Sequence, residues 1–275
     1  MNPIIPLFKR ELLEFKKHAF SIILFWILTP IIIHTLLAIP LSRLITMDIR
    51  YLNWSAAGVW ITASGMTAFL QSATRMRKIQ FESRQIDALL KSPISNLDLI
   101  IINISRGIMY GIGQLLVAIV ITSTLNHEYQ SLGNMLIIIF QMFTLILHFS
   151  VLGTLIGMLV SNHISFVNIS FILFLGVTMG FGNFIPLKYY PNSYLSVINT
   201  IPTTTAFENV RSVILYGPFN WAGFFLTLIG TILISIITGY KLTGAWRMCQ
   251  TSHSASSYSI MRAINAACCW GRAYG

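Results

Sequence analysis

Charge is scarce in this sequence. Only 9% of its 275 residues are Asp, Glu, Lys or Arg, against about 25% in an average soluble domain. A water-soluble fold of this length could not wet its surface with so few. Acids are scarcer still: eight Asp and Glu face 18 Lys and Arg, a net charge of +10. In a chain that is 55% hydrophobic, this excess reports topology rather than nucleic-acid binding, because Lys and Arg stay on the cytoplasmic side of a membrane. Cysteine is nearly absent. Cys249, Cys268 and Cys269 are the three copies, all near the C-terminus. That excludes a disulfide scaffold, and no Cys or His spacing suggests zinc.

Catalytic motifs are missing too. No Gly-Lys pair occurs, so there is no GxxxxGK[ST] sequence and no P-loop hydrolysis of ATP by this chain. Neither a G-x-S-x-G elbow nor an HExxH motif is present. Asp48, Asp87, Asp98, Glu82, Glu128 and Glu208 all fall at or beyond the ends of apolar stretches. An ion-coupled carrier or an intramembrane aspartyl protease places an acid at mid-membrane. A membrane-embedded transferase needs clustered acids, and Asp87 and Asp98 show no metal-ligand pattern. The reading is a non-enzymatic membrane protein with no metal site. The alternatives left open are an ion-coupled secondary transporter and a non-catalytic membrane scaffold.

What the sequence has in abundance is apolar runs of the ~20 residues that cross a bilayer. Six spans are expected: 19–42, 54–74, 97–125, 134–160, 164–184 and 219–244. Pro30 should kink the first, and Trp54 should sit at a membrane interface. Residues 1–18 read as an N-terminal amphipathic interfacial helix with its basic face toward anionic lipid, not a cleavable signal; a juxtamembrane extension of the first span is the other option. Ile4, Ile5, Phe8, Leu12 and Phe15 form its apolar arc; Lys9, Arg10, Glu14, Lys16 and Lys17 form the polar one. Residues 19–247 form the membrane domain, and 248–275 a poorly ordered tail. With both termini in the cytoplasm, 14 of 18 Lys and Arg fall inside.

Some polar residues enter the spans. His34 and His148 read as packed, hydrogen-bonded side chains. Arg106 is long enough to snorkel to the headgroups; contact with a substrate headgroup is the other option. The pairs Gly107/Gly111, Gly153/Gly157 and Gly176/Gly180 permit close helix contact, first of all within one chain.

The block RMRKIQFESRQIDALLKSPISNLDLI lies between the second and third spans. Ile86, Leu89 and Leu90 give it an apolar face, and Ser92-Pro93 ends the helix. In Glu82, Leu89-Leu90, Ser92, Pro93, Ile94 and Ser95 it resembles the membrane subunits of ABC-2 type exporters. Arg84-Gln85 replaces the Gly-Thr pair common in that family. The segment FIPLKYYPNSYLSVINTIPTTTAFENVRSVILYG is similar to the family's external segment, at Pro186, Pro191, Pro202, Arg211 and Gly217.

The resemblance implies an all-α permease of six transmembrane helices that pairs as a homodimer, or as a heterodimer with a related permease. Each copy would dock a separate ABC ATPase subunit, which would carry the ATP and Mg. A cytoplasmic coupling helix with Glu82, Ile86, Leu89, Leu90, Pro93 and Ile94 would receive the ATPase motion. Short external re-entrant helices with Pro186, Pro191, Pro202, Glu208 and Arg211 would close the path from outside. On a helix, Glu208 and Arg211 stand three apart and could pair. The expected location is a prokaryotic cell membrane, and the cargo a drug, lipid or glycan.

Overall fold

The computed structural model describes residues 4–46, 50–81, 96–127 and 130–254, and every regular element in them is helical. Five helical segments are long and apolar enough to cross a membrane: Ala19–Leu44, Leu97–Asn126, Leu132–Leu159, His163–Gly180 and Trp221–Lys241. A helix bonds its own N–H and C=O groups, which the hydrocarbon layer cannot do for it. The chain is an all-α, multi-pass membrane protein.

The helices are α1 Ile4–Lys17, α2 Ala19–Ile33, α3 Ile39–Leu44, α4 Tyr51–Phe81 and α5 Asn96–Asn126. They continue with α6 Leu132–Leu159, α7 His163–Leu175, α8 Asn192–Ile198, α9 Pro202–Ile214 and α10 Trp221–Ser254. A π-helical turn, His34–Ala38, joins α2 to α3, and another, Gly176–Gly180, extends α7. The fifth expected span is thereby shortened: helix ends at Gly180, not near residue 184. At the other end, α10 runs past residue 247, where the tail was expected to begin.

The helix containing 54–74 is not among the five most apolar ones. In α4, Ser55, Thr62, Ser64, Thr67 and Ser72 interleave with Ala57, Ala63, Ala68 and Ala73, and all nine are buried. α4 packs along α5 on one side and α6 on another. Its polarity is tolerable because the neighbours cover it. Helices immersed in lipid gain little from the hydrophobic effect on meeting, so close approach must hold them. Small residues permit that approach. A Cβ on Gly153 would stand 2.4 Å from the Phe69 carbonyl oxygen, and one on Gly157 2.4 Å from that of Ala73. On α5, Gly107 meets Ser72 and Ser150, and Gly111 meets Ile146 and Ala68. Two of the three Gly pairs therefore serve contacts within one chain. Gly176 and Gly180 fall in the π turn, with the nearest side-chain atoms at 3.9 and 3.3 Å.

Polar bonds pin this packing. Asn103 Nδ2 donates to the Ser72 carbonyl at 3.0 Å and to Thr154 Oγ1 at 2.9 Å. The Ser72 and Ser150 hydroxyls are 2.7 Å apart. One side chain thus ties α4, α5 and α6 together. His148 Nδ1 meets Thr231 Oγ1 of α10 at 3.0 Å, the packed arrangement expected for it.

Pro30 does not end α2. Having no N–H, it cannot bond the carbonyl four residues back, that of Trp26. Gln114 of α5 fills the vacancy: its Nε2 donates to that carbonyl at 3.0 Å. Trp26 itself packs on Gly113, where a Cβ would stand 2.2 Å from the indole.

Candidate functional site

Charged side chains gather at both ends of α4. Near its C-terminal end, Arg75 joins Arg106 of α5 beneath α1. Arg106 Nη1 donates to Glu11 Oε2 at 2.6 Å and to Glu14 Oε2 at 3.0 Å; its Nη2 donates to Gln71 Oε1 at 3.3 Å. Arg75 pairs with the other oxygen of Glu11. Glu11 is only 3% exposed. The Arg106 guanidinium also lies 5.2 Å from the Tyr110 ring centroid. Phe15 of α1 completes the contact, edge-on to Tyr110 and tilted against Trp26. Partial burial works against ionisation of Glu14, but Arg106, Arg75 and Arg10 outweigh it and hold its carboxyl below the ordinary value.

On α1, Glu11, Glu14 and Phe15 face the bundle, while Leu12 is 53% exposed. The long side chain of Arg106 ends on the acids of α1. Two arginines set into apolar helices need counter-ions, and α1 supplies them. A signal was present in the sequence. Glu11 and Glu14 are the only acids of α1 and stand three apart, on one face.

Two residues on, Arg77 bonds the turn between α6 and α7. Its Nη1 donates to the Ser161 carbonyl at 3.1 Å and its Nη2 to His163 Nδ1 at 3.3 Å. Its guanidinium sits 5.5 Å over the Phe166 ring. α4 ends four residues later, at Phe81, and α5 begins at Asn96. Glu82, Ile86, Leu89, Leu90, Pro93 and Ile94 lie between them, outside the described residues. The α1 cluster therefore grips both helices that flank that segment.

At the N-terminal end of α4 the organising group is Arg211, 1% exposed. Its Nη2 donates to the carbonyls of Gly182 at 2.6 Å and Asn183 at 2.8 Å. Its Nη1 pairs with the half-exposed Glu208. Its guanidinium lies 3.9 Å from the Trp54 ring centroid. Trp54 is thus buried beneath a cation. Asn183 Nδ2 reaches the Gly58 carbonyl at 3.2 Å and Thr62 Oγ1 at 2.8 Å, and Tyr51 Oη donates to the Phe184 carbonyl at 2.5 Å. Gly182 has a φ of 73°, and Leu187 closes over it. Only glycine fits there without strain.

The prolines mark helix starts. Pro186 precedes a 3-10 turn, Leu187–Tyr189; Pro191 precedes α8; Pro202 opens α9 as its first residue. α9 packs against α4, α6 and α10, burying Phe207, Val210 and Val213. The tyrosines between α7 and α9 close the end of the π turn. Tyr190 Oη donates to the Met179 carbonyl, and Tyr194 Oη to that of Gly180 at 3.2 Å.

These clusters position helices. Among the described residues, no group of three or more His, Cys, Asp or Glu could hold a metal ion. Comparison with known proteins gives one family: the model described as ABC-2 type transporter matches residues 4–215. No curated protein and no solved structure matches the chain.

Proposed function

Because the chain belongs to the ABC-2 type transporter family, it is the membrane-embedded permease of an ABC transporter, and we propose that it forms an export path as a dimer, each copy driven by a separate ATPase subunit. α4 is then the second of six crossings, with both termini in the cytoplasm of a prokaryotic cell. The excess of Lys and Arg on the α1 side supports that orientation. α8 and α9 are the re-entrant helices that close the path from outside. Irregular backbone such as 181–186 is tolerable at membrane depth only when protein covers it, and Arg211 and Asn183 cover it. Hydrolysis of ATP with Mg takes place on the partner. The cargo class is a drug, lipid or glycan; the apolar spans favour a hydrophobic or lipid-like one.

The observation that carries the coupling step is the grip of α1 on both Arg75 and Arg106. A push on the segment 82–95 reaches α4 and α5 together. Glu11 bridges the two, so they shift as one body with α1. Rigid, packed elements with discrete positions are what transmit such motion. Arg77 extends the same body to the turn between α6 and α7.

Leu89→Asp and Leu90→Asp test this reading. Each should reduce co-purification of the ATPase about tenfold or more, the scale of burying an unpaired carboxylate, while membrane insertion stays intact. Undiminished association in both variants would remove the docking role of this segment.

A further inference from the structure

We infer that the outward side of α1 is a binding surface for anionic phospholipid headgroups. α1 has two acids, and the bundle takes both: Glu11 is buried against Arg75 and Arg106, and Glu14 is bonded to Arg106. Glu14 stays 47% exposed but is paired, and the other charges on the outward side are basic. Lys9, Arg10, Lys16 and Lys17 are all exposed. Arg10 approaches Glu11 only to 3.8 Å and stays 61% exposed. Leu12 and Leu13, at 53% and 59% exposure, stand between Lys9 and Lys16 on the side turned away from Glu11.

Connectivity sets the depth of this surface. Only His18 separates α1 from α2, which opens the Ala19–Leu44 crossing. α1 therefore runs at headgroup level. There the leucines reach the acyl chains, while the Lys stems lie along them and lift the ammonium groups to the phosphates. An acidic protein would satisfy the cations but leave the two leucines wet. An anionic leaflet satisfies both. Each cation close to such a leaflet is worth roughly fivefold in partitioning, so four of them give a selectivity that is easily measured. The ion pairs behind α1 matter to this surface, because they bury the Glu11 carboxylate and neutralise that of Glu14.

The test uses the full chain reconstituted in phosphatidylcholine bilayers. Trace spin-labelled phosphatidylglycerol or phosphatidylcholine reports the lipid held at the protein surface. The unmodified chain should prefer the phosphatidylglycerol label. Replacing the four cations together (Lys9→Gln, Arg10→Gln, Lys16→Gln and Lys17→Gln) should remove about half of that preference or more, and Lys188→Gln should leave it unchanged. Salt at about 1 M, where the Debye length is about 3 Å, should erase the same portion in the unmodified chain, which keeps the test decisive if the fourfold variant inserts poorly. Selectivity indifferent to salt, or untouched by the four substitutions, overturns the proposal. So does a fourfold variant that keeps its lipid selectivity but loses its ATPase partner, since that surface would then be a protein contact. No ATPase is needed for the lipid measurement, so its outcome is independent of the coupling mechanism.

Discussion

A proline inside a span leaves one carbonyl without a partner, and at Pro30 a side chain from another helix answers it. Gln114 is fully buried and donates to the Trp26 carbonyl. Gln114→Leu should therefore cost about 1–3 kcal/mol, the penalty of a buried acceptor left open. In a Pro30→Ala background the residue-30 N–H can bond Trp26 itself, and the same Gln114→Leu change should cost much less. Thermal unfolding of the four chains in one bilayer or detergent gives the coupling; equal costs in both backgrounds would show that Gln114 has another role. Arg211 offers a second, asymmetric case. Arg211→Gln strands the carbonyls of Gly182 and Asn183 in a dry site. Charge-assisted bonds of this kind contribute about 1.5–3 kcal/mol each, so a loss of roughly 3 kcal/mol or more is expected. Glu208 is nearly half exposed. Glu208→Gln keeps an oxygen that Arg211 can use, so its cost should stay within about 1 kcal/mol. If the two variants melt alike, Arg211 is held by its ion pair and not by the backbone it caps.

Between whole helices, the deciding quantity is how near two backbones come. Gly153 and Gly157 give α6 a smooth flank on which α4 lies, with the Phe69 and Ala73 carbonyls at the point of contact. A methyl group there meets backbone, which cannot turn aside as a side chain can. Gly153→Ala should destabilise by about 1–3 kcal/mol or more through forced separation of α4 and α6. Gly133 sits on the same helix with nothing within 4 Å of its Cβ position. Gly133→Ala should be neutral or slightly stabilising, since alanine has the better helix propensity. Equal melting temperatures for the two variants would mean that α4 and α6 can slide apart freely. Resistance of the unmodified chain to heat in mild detergent would then rest on polar bonds such as those of Asn103 and the Ser72–Ser150 pair.

At the scale of the molecule, the legible part of the fold was the part written in apolar runs. All five candidate crossings begin and end within about four residues of where hydropathy puts them, as their length must match the bilayer; the largest difference is at Gly180, where the helix stops in a π turn. The partners of Glu11, Arg106 and Gln114 were not legible, because each bond joins residues far apart in the chain. Periodicity sorted α1 into an apolar and a basic arc, and did not show that Glu11 and Glu14 meet Arg106. Spacing within α9 placed Glu208 beside Arg211, but nothing nearby announced the 182–183 carbonyls or Trp54.

α4 shows the same limit and yields the prediction that reaches furthest. It is buried more completely than its neighbours, yet is too polar to rank with the candidate crossings. A helix of this composition gains little by entering lipid alone. Its Ser and Thr groups become tolerable only once α5 and α6 cover them. Insertion of α4 should therefore be cooperative. The native cysteines all lie beyond residue 248, so Ser83→Cys is a unique probe in a truncated chain. In a chain ending at residue 95, an impermeant thiol reagent should reach Cys at 83 from both sides of the membrane, reporting mixed topology. In a chain extended through α6 to residue 162, it should react from the cytoplasmic side only. Ser64→Leu with Thr67→Leu should rescue single-sided insertion of the short chain while loosening the packing of the long one. Uniform topology in the unmodified short chain would mean that α4 enters the bilayer unaided. Its burial would then be a consequence of assembly and not a condition for insertion.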